Sequence, residues 1–361
     1  MAAAAAAAPP WLVTFVGGER IFSAGFEKMR DQLAQRGLDA EICVERRPDP
    51  DAASDVLVPL MSRIDRAMIE SLPRLKAIVQ FGVGLEGVDL DAARERGVAV
   101  LNMPADKSGN ATSTAEVGLY LCLAAMRRQR ECEASFRTRG LGVPIGVSLE
   151  RKRVLIVGFG AVGKKLREMI RPFDTRVALM KRGWDGLGGP SPAADVDAFV
   201  GPPPPAPETR GDVRVLASDA AALGKVLGAA DVVFLCTTLN ESTRNMVDGA
   251  FIGRMKDGSF LVNVSRGGVI EYEALLAALR AKKFLGVGLD VFWYEPFDPD
   301  DPIFEHEEVV RTPHVGGVTD VSYNNMSRIL IDTVRALQGG AGWRDAIPEG
   351  AALVVDGAHG A

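Results

Sequence analysis

The sequence predicts an α/β protein made of two domains, each a parallel sheet flanked by helices. Three observations predict it. Short apolar runs alternate with segments of helical period along most of the chain, which marks repeated βα units. A glycine turn, GFGAVG (158–163), lies between one such run and a helix. The length of 361 residues exceeds one ordinary core and suits two, at roughly 100–200 residues each.

In the first part, WLVTFV (11–16), AEICV (40–44), DVLVPL (55–60), LKAIVQF (75–81) and VAVLN (98–102) read as strands. FEKMRDQLAQRG sets Phe26, Met29 and Leu33 on one helical face and closes at Gly37; DLDAARERG is a short helix closed by Gly97. Together they predict a flavodoxin-like substrate domain over 11–113. It is completed by 316–345, where DVSYNNMSRILIDTVRAL places Met326, Ile329, Leu330 and Val334 on a face that packs back on it.

A long helix is expected from about Thr114 through Arg130, with Leu119, Leu121, Leu123 and Met126 among its apolar residues. It and the segment after His314 carry the chain between the domains, so they are the expected hinge. RVLIVG, RVALMK, VRVLAS, DVVFLC, SFLVNVS and GVGLDVF then supply six strands of a Rossmann-type dinucleotide-binding domain over 114–315, with EYEALLAALRAKK as its clearest helix. The Gly/Pro-rich stretch 186–212 has no sustained period and reads as an exposed loop insertion. Residues 1–10 read as a disordered tail and 346–361 as a weakly ordered one.

Composition narrows the function classes. Hydrophobic residues make up 47% of the chain and charged residues 25%, with a net charge of -5, so no basic excess marks a nucleic-acid or membrane surface. No uncharged apolar run reaches the roughly 18 residues a membrane span needs. The N-terminus lacks signal- and transit-peptide character, and the four cysteines (Cys43, Cys122, Cys132, Cys236) form no CxxC pair. These features predict a cytoplasmic protein with free thiols and no metal site.

Gly158, Gly160 and Gly163 follow the strand RVLIV and precede a helix with Val162, Leu166, Met169 and Ile170 at helical spacing. The first glycine serves the tight turn, the second the approach of a pyrophosphate, and the third helix–strand packing; the anion then sits on the helix N-terminus. The next strand ends in ALMKRGW, where an acid would accept from the adenosine ribose. Lys181 and Arg182 stand there instead. They suit the 2'-phosphate of NADP, which predicts NADP over NAD; the plain alternative is a solvated basic pair.

Three later segments end strands or open loops, where an open α/β sheet presents its chemistry. They are NVSRGGVI with Val264, Ser265 and Arg266, GLDVFWYEP with Asp290 and Glu295, and TPHVGGVTD with His314, Gly316 and Gly317. These segments resemble the D-isomer-specific 2-hydroxyacid dehydrogenase family, and the reduction of a 2-oxo acid that the resemblance implies needs a cation to hold the carboxylate, an acid to protonate the new alkoxide, and a hydride donor against the carbonyl carbon. Arg266 fits the first role. His314 fits the second, with Glu295 stabilising its protonated form. His306, in FEHEEVV, matches no motif and reads as exposed.

The order Arg, Glu, His behind a GxGxxG resembles the D-isomer-specific 2-hydroxyacid dehydrogenase family from about Leu75 to Arg335, including FGVGLEGVDLDAARERGVAVLN. The resemblance implies catalysis by Arg266, Glu295 and His314, with Val83 and Gly84 offering backbone N–H groups to the substrate carboxylate. It implies that Ala161 and Val162 meet the pyrophosphate, that Asp290 faces the nicotinamide carboxamide and that Cys236 and Thr237 wall the adenine side. Val264, Ser265, Arg266, His314, Gly316 and Gly317 complete the implied cofactor contacts. The family has proline where Thr238 stands. Within the family, formate dehydrogenases carry Gln at the position of Glu295. Many phosphoglycerate dehydrogenases carry C-terminal regulatory domains and a ribose acid, whereas this chain is expected to end soon after its final helix. The best-fitting activity is therefore an NADPH-linked glyoxylate or hydroxypyruvate reductase acting as a homodimer. The alternatives are a phosphoglycerate dehydrogenase-like activity and a nucleotide-sensing interaction protein. The loop DKSGNATSTAE (106–116) is expected to shape the substrate pocket.

Overall fold

The computed structural model describes residues 11–17, 23–38, 40–45, 48, 54–184, 188–202, 211–339 and 347–356. They fall into two units, Met1–Asn110 with Val318–Ala361, and Ala111–Gly317.

In the first unit, β1 (Trp11–Val16), β2 (Ala40–Glu45), β3 (Ser54–Pro59), β4 (Ala77–Val79) and β5 (Ala99–Asn102) pair in parallel in the order β2-β1-β3-β4-β5. This is the flavodoxin-like order. Every residue of the central strand β3 is buried, as expected where helices cover both faces of a parallel sheet. One face carries the helices Ser23–Gln35 and Asp320–Gln338. Leu33, Met326, Ile329, Leu330 and Val334 are buried there. The side chains of Phe26 and Met29 lie outside the described residues, as does the tail 1–10. The other face carries Arg66–Ser71 and Leu90–Glu95, each begun by an aspartate, Asp65 or Asp89, whose side chain accepts from a first-turn N–H. Gly37 and Gly97 follow their helices at φ 65° and 64°, the left-handed conformation glycine adopts without a Cβ penalty.

The second unit holds β6 (Arg153–Val157), β7 (Arg176–Lys181), β8 (Val213–Leu216), β9 (Val232–Leu235), β10 (Ser259–Asn263), β11 (Phe284–Leu289) and β12 (Val309–Arg311). Their order is β12-β11-β10-β9-β6-β7-β8, all parallel. Winding starts at β6 and runs outward both ways, so the strand order reverses between β6 and β9, where a doubly wound sheet opens a crevice. Two apolar cores lie against this sheet.

Several expectations need correction. The Rossmann sheet has seven strands rather than six, because EEVVR contributes the short edge strand β12. The expected long helix is two, Asn110–Met126 and Gln129–Arg137, broken where Arg128 turns left-handed at φ 54°. Residues 106–116 are not a loop: they form the helix Ala105–Ser108 and the start of Asn110–Met126, joined at Gly109.

The insertion 186–212 is not all loop either. Its helix Ala193–Val200 buries Val196 and Phe199 in the core, each gaining about 1.5–3 kcal/mol from burial. A parallel β7–β8 pair requires a crossover, and this helix lies on it. Residues 185–187 and 203–210, with Arg210, lie outside the described residues. The C-terminal tail contributes β13 (Ala352–Val355), antiparallel to β5, so the first sheet is mainly rather than wholly parallel. Among the described residues, no helix is long and apolar enough to cross a membrane.

Candidate active site

The glycine turn sits at the strand-order reversal. Gly158 follows β6 at φ 95°, and a Cβ on it would stand 2.8 Å from the Cys236 carbonyl and the Thr237 nitrogen at the end of β9. A Cβ on Gly163 would stand 2.2 Å from the Gly158 oxygen, which lets the helix Ala161–Ile170 press against the turn. Gly160 differs: nothing lies within 4 Å of the position its Cβ would take. No side chain caps this helix and no acid sits in its first turn, so the N–H groups of Ala161, Val162 and Gly163 begin it with an anion's complement. The two constrained glycines and the open one fit a pyrophosphate. Burial pushes the Cys236 thiol beside this turn up to about 12.

β7 delivers Lys181, partly buried, and then exposed Arg182. Trp184 is anchored behind them, 4% exposed and donating from its indole to the Val215 carbonyl at 3.2 Å. Phe159 of the glycine turn packs on it at 6.1 Å between ring centroids, and the Lys181 ammonium lies 6.0 Å from the Trp184 ring. The basic pair is thereby held beside the glycine turn by a buried indole.

After β10 the chain turns sharply through Val264 and Ser265, both 6% exposed, to Arg266. Asn263 organises that turn: its Oδ1 accepts from the Ser265 N–H at 3.0 Å and hydroxyl at 2.7 Å, and its Nδ2 donates to the Arg266 carbonyl at 2.9 Å. The Arg266 guanidinium donates to the Ser265 carbonyl at 2.8 Å. Gly267 brings this loop against the next, since a Cβ there would stand 2.1 Å from the Phe292 carbonyl carbon and 2.5 Å from the Trp293 nitrogen.

That second loop carries Glu295. Its Oε1 accepts from the Phe292 N–H at 2.9 Å and its Oε2 lies 2.6 Å from His314 Nδ1. Asp290, 1% exposed, clasps the histidine loop on both sides of the imidazole: Oδ1 accepts from the Thr312 hydroxyl at 2.6 Å and Val315 N–H at 2.9 Å, and Oδ2 from the Gly316 N–H at 2.9 Å. Burial pushes the Asp290 carboxyl above the ordinary carboxylate value, while Thr312, Val315, His314 and Gly316 pull the other way. His314 itself adopts φ 54°, a conformation that a non-glycine residue holds only where its surroundings enforce it.

Contacts therefore bring Arg266, Glu295, His314 and Asp290 together in one unit, each at or just beyond a strand's carboxyl end. Nδ1 of His314 is thus engaged by the Glu295 carboxylate. Gly317 ends this unit. Val83 and Gly84 belong to the first unit, in the loop after β4, where the Asn102 amide donates to the Val83 carbonyl at 2.9 Å and the Met103 N–H to the Gly82 carbonyl at 2.9 Å. His306 is not exposed as expected: its side chain is 16% exposed, and Arg130 donates to its carbonyl at 2.6 Å. Asn263 and Asn102 were not singled out in the sequence. The pattern Asn-x-Ser at the end of an apolar run is the local signal for the first; nothing local marks the second.

Similarity to known proteins agrees with this arrangement. The family model "D-isomer specific 2-hydroxyacid dehydrogenase, NAD binding domain" matches residues 119–185 and 203–316. The (S)-sulfolactate dehydrogenase of Chromohalobacter salexigens is 32% identical over 289 residues, 79% of this chain and 84% of the relative. The D-3-phosphoglycerate dehydrogenase of Mycobacterium leprae is 30% identical over 319 residues, 88% of this chain but 55% of the relative, so the chain spans about half the length of that enzyme. The solved structure of the TT0316 protein of Thermus thermophilus has a TM-score of 0.70 at 28% identity, covering 91% of this chain and 97% of its own. A doubly wound sheet with a glycine turn at its crevice, joined to a flavodoxin-like unit and supported by these matches, places the chain in the D-isomer-specific 2-hydroxyacid dehydrogenase family of NAD(P)-binding oxidoreductases.

Proposed function

We propose that the protein reduces a small 2-oxo acid to its D-2-hydroxy acid with NADPH, glyoxylate or hydroxypyruvate being the best-fitting substrates. The observation that carries the reading is the His314–Glu295 contact at 2.6 Å, joined through Phe292 and Gly267 to the loop bearing Arg266. The bound cofactor supplies the hydride to the carbonyl carbon. Arg266 holds the substrate carboxylate and draws electron density from the ketone. Protonated His314 gives the Nε2 proton to the oxygen as the alkoxide forms, and Glu295 holds Nδ1–H and offsets the imidazolium charge until then. Solvent returns the proton. Asp290 fixes the loop that presents the imidazole and would be the residue that holds the nicotinamide carboxamide.

Lys181 and Arg182 support NADPH over NADH. A guanidinium grips a phosphate through paired N–H donors, and no acid competes at the strand end. Apolar exposure at Phe136 (87%), Leu141 (99%), Val143 (56%) and Ile145 (84%) in the second unit supports a homodimer formed through the cofactor domain. A second substrate reading, a 2-oxo acid carrying a further anion, is favoured by the names of the sulfolactate and phosphoglycerate relatives. Initial rates with NADPH and NADH on glyoxylate, hydroxypyruvate, sulfopyruvate and phosphohydroxypyruvate test the proposal. Turnover of the first pair with NADPH is expected. Tight NADPH binding with no turnover on any of the four would instead support a nucleotide sensor.

A further inference from the structure

We infer that Asn263 is a positioning residue for substrate binding: its buried amide sets the Ser265–Arg266 turn and, through the Ser265 carbonyl, the direction of the Arg266 guanidinium. The inference rests on the proposed role of Arg266 in holding a carboxylate, and it deepens that reading.

Asn263 ends β10 and is 0% exposed, so each polar atom of its side chain must be satisfied inside the protein. It directs three hydrogen bonds to the two residues that follow Val264. Oδ1 takes the N–H and the hydroxyl of Ser265, at 3.0 and 2.7 Å, which orients the Ser265 peptide. Nδ2 donates to the Arg266 carbonyl at 2.9 Å, so the residue after Ser265 is held as well. The Ser265 carbonyl, placed by these contacts, receives the Arg266 guanidinium at 2.8 Å. The main chain of Asn263 adds a further tie, its carbonyl accepting from the Asp290 N–H at 3.1 Å, and Asp290 is the carboxylate that clasps the His314 loop. One residue thus links the cation's turn to the acid's loop.

Only a planar group with an acceptor and a donor side by side can do this. Aspartate would keep the Ser265 bonds but set a carboxylate oxygen against the Arg266 carbonyl, and the shorter serine, with its single oxygen, cannot span the places that Oδ1 and Nδ2 occupy. Arg266 has several rotatable bonds, and a shift of about 1 Å in a positioning group costs about 10²-fold in rate. A rigid base under so long a side chain is therefore part of its function.

The test is a double-mutant cycle on kcat/KM for the preferred 2-oxo acid, using the parent, Asn263→Asp, Arg266→Ala and the double variant, with NADPH affinity measured separately. Asn263→Asp is expected to lower kcat/KM by about 10–100-fold, with NADPH affinity within about twofold of the parent. In the Arg266→Ala background the same change is expected to cost less than about twofold, because its effect passes through the missing guanidinium. Equal losses in both backgrounds, or a parallel loss of NADPH affinity, would overturn the inference. If Asn263→Asp does not fold, Asn263→Ser enters the same cycle with the same criteria. Parental kcat/KM in Arg266→Ala would sink the functional reading itself, an outcome distinct from additive losses.

Discussion

The Nδ1 atom of His314 lies 2.6 Å from Oε2 of Glu295, and the carboxylate's other oxygen is held by the Phe292 N–H at 2.9 Å. Both oxygens of the glutamate are thus engaged, one by the backbone and one by the imidazole. Replacing His314 with Gln is expected to lower kcat by about 10²–10⁴-fold, the range for a lost general acid. NADPH affinity should stay near the parental value. Glu295→Gln should lower kcat less and leave the ring in place; steady-state kinetics with fluorescence titration of NADPH checks both, and an unchanged kcat in His314→Gln would refute the assignment.

Cofactor choice is expected to invert in the double variant Lys181→Asp with Arg182→Ser. Hydrogen bonds to charged groups are worth about 1.5–3 kcal/mol, so removing them should raise the KM for NADPH by about 10–100-fold. The KM for NADH should fall or hold. If the natural protein already prefers NADH, the phosphate reading of this pair fails.

The glycine turn makes a prediction in which two similar substitutions part company. Gly163→Ala drives a Cβ to 2.2 Å from the Gly158 oxygen and should cost about 1–3 kcal/mol or more, seen as a lower Tm. Gly160→Ala meets nothing within 4 Å, so stability should hold within about 0.5 kcal/mol of the parent while cofactor affinity falls. Thermal unfolding with and without NADPH separates the two; equal Tm values for both variants would contradict the geometry.

Asp290 has a testable pH signature. Its folded-state carboxyl titrates above the ordinary value of 3.8, chiefly because burial disfavours the charge. The folded protein therefore holds this proton to higher pH than the unfolded chain does. Stability contributed at this site falls as pH rises from 3.8 through the folded-state pKa, and is level beyond it. The stability of the parent relative to Asp290→Asn should accordingly decrease over that window, as read by thermal unfolding between pH 4 and pH 8. An increase would show that the hydrogen bonds from Thr312, Val315 and Gly316 outweigh burial.

Leu141→Asp with Ile145→Asp is expected to convert a dimer to a monomer, because these side chains are 99% and 84% exposed and a charge at each opposes burial between subunits. Sedimentation velocity reads the outcome. A monomeric parent protein would remove the basis for the homodimer.

Much of this protein was legible from residue order alone, and the reasons are local. Apolar runs bounded by turn residues marked β1 to β11, since a strand buried on both faces needs an unbroken apolar stretch. Gly158 and Gly163 were legible because each answers a backbone requirement that no side chain meets. The helix Ala193–Val200 was not, because its short apolar pair sits among prolines and glycines and acquires a face only where the β7–β8 crossover lays it on the core. β12 and β13 were missed for a related reason: at three and four residues they are strands only by virtue of the neighbours they pair with. The break at Arg128 likewise has no local signal, since neither proline nor glycine marks it.

Residue order by itself determined the two mainly parallel-sheet units and the place of the dinucleotide turn. Those follow from periodicity and from residue types at strand ends, both of which are written along the chain. Only the tertiary structure decided that Glu295 reaches His314, that Asp290 clasps the loop on both sides of that imidazole, and that Asn263 seats Arg266. Such contacts join residues brought close by strand order within a sheet, and that adjacency comes from packing the sheet as a whole rather than from any one stretch of sequence.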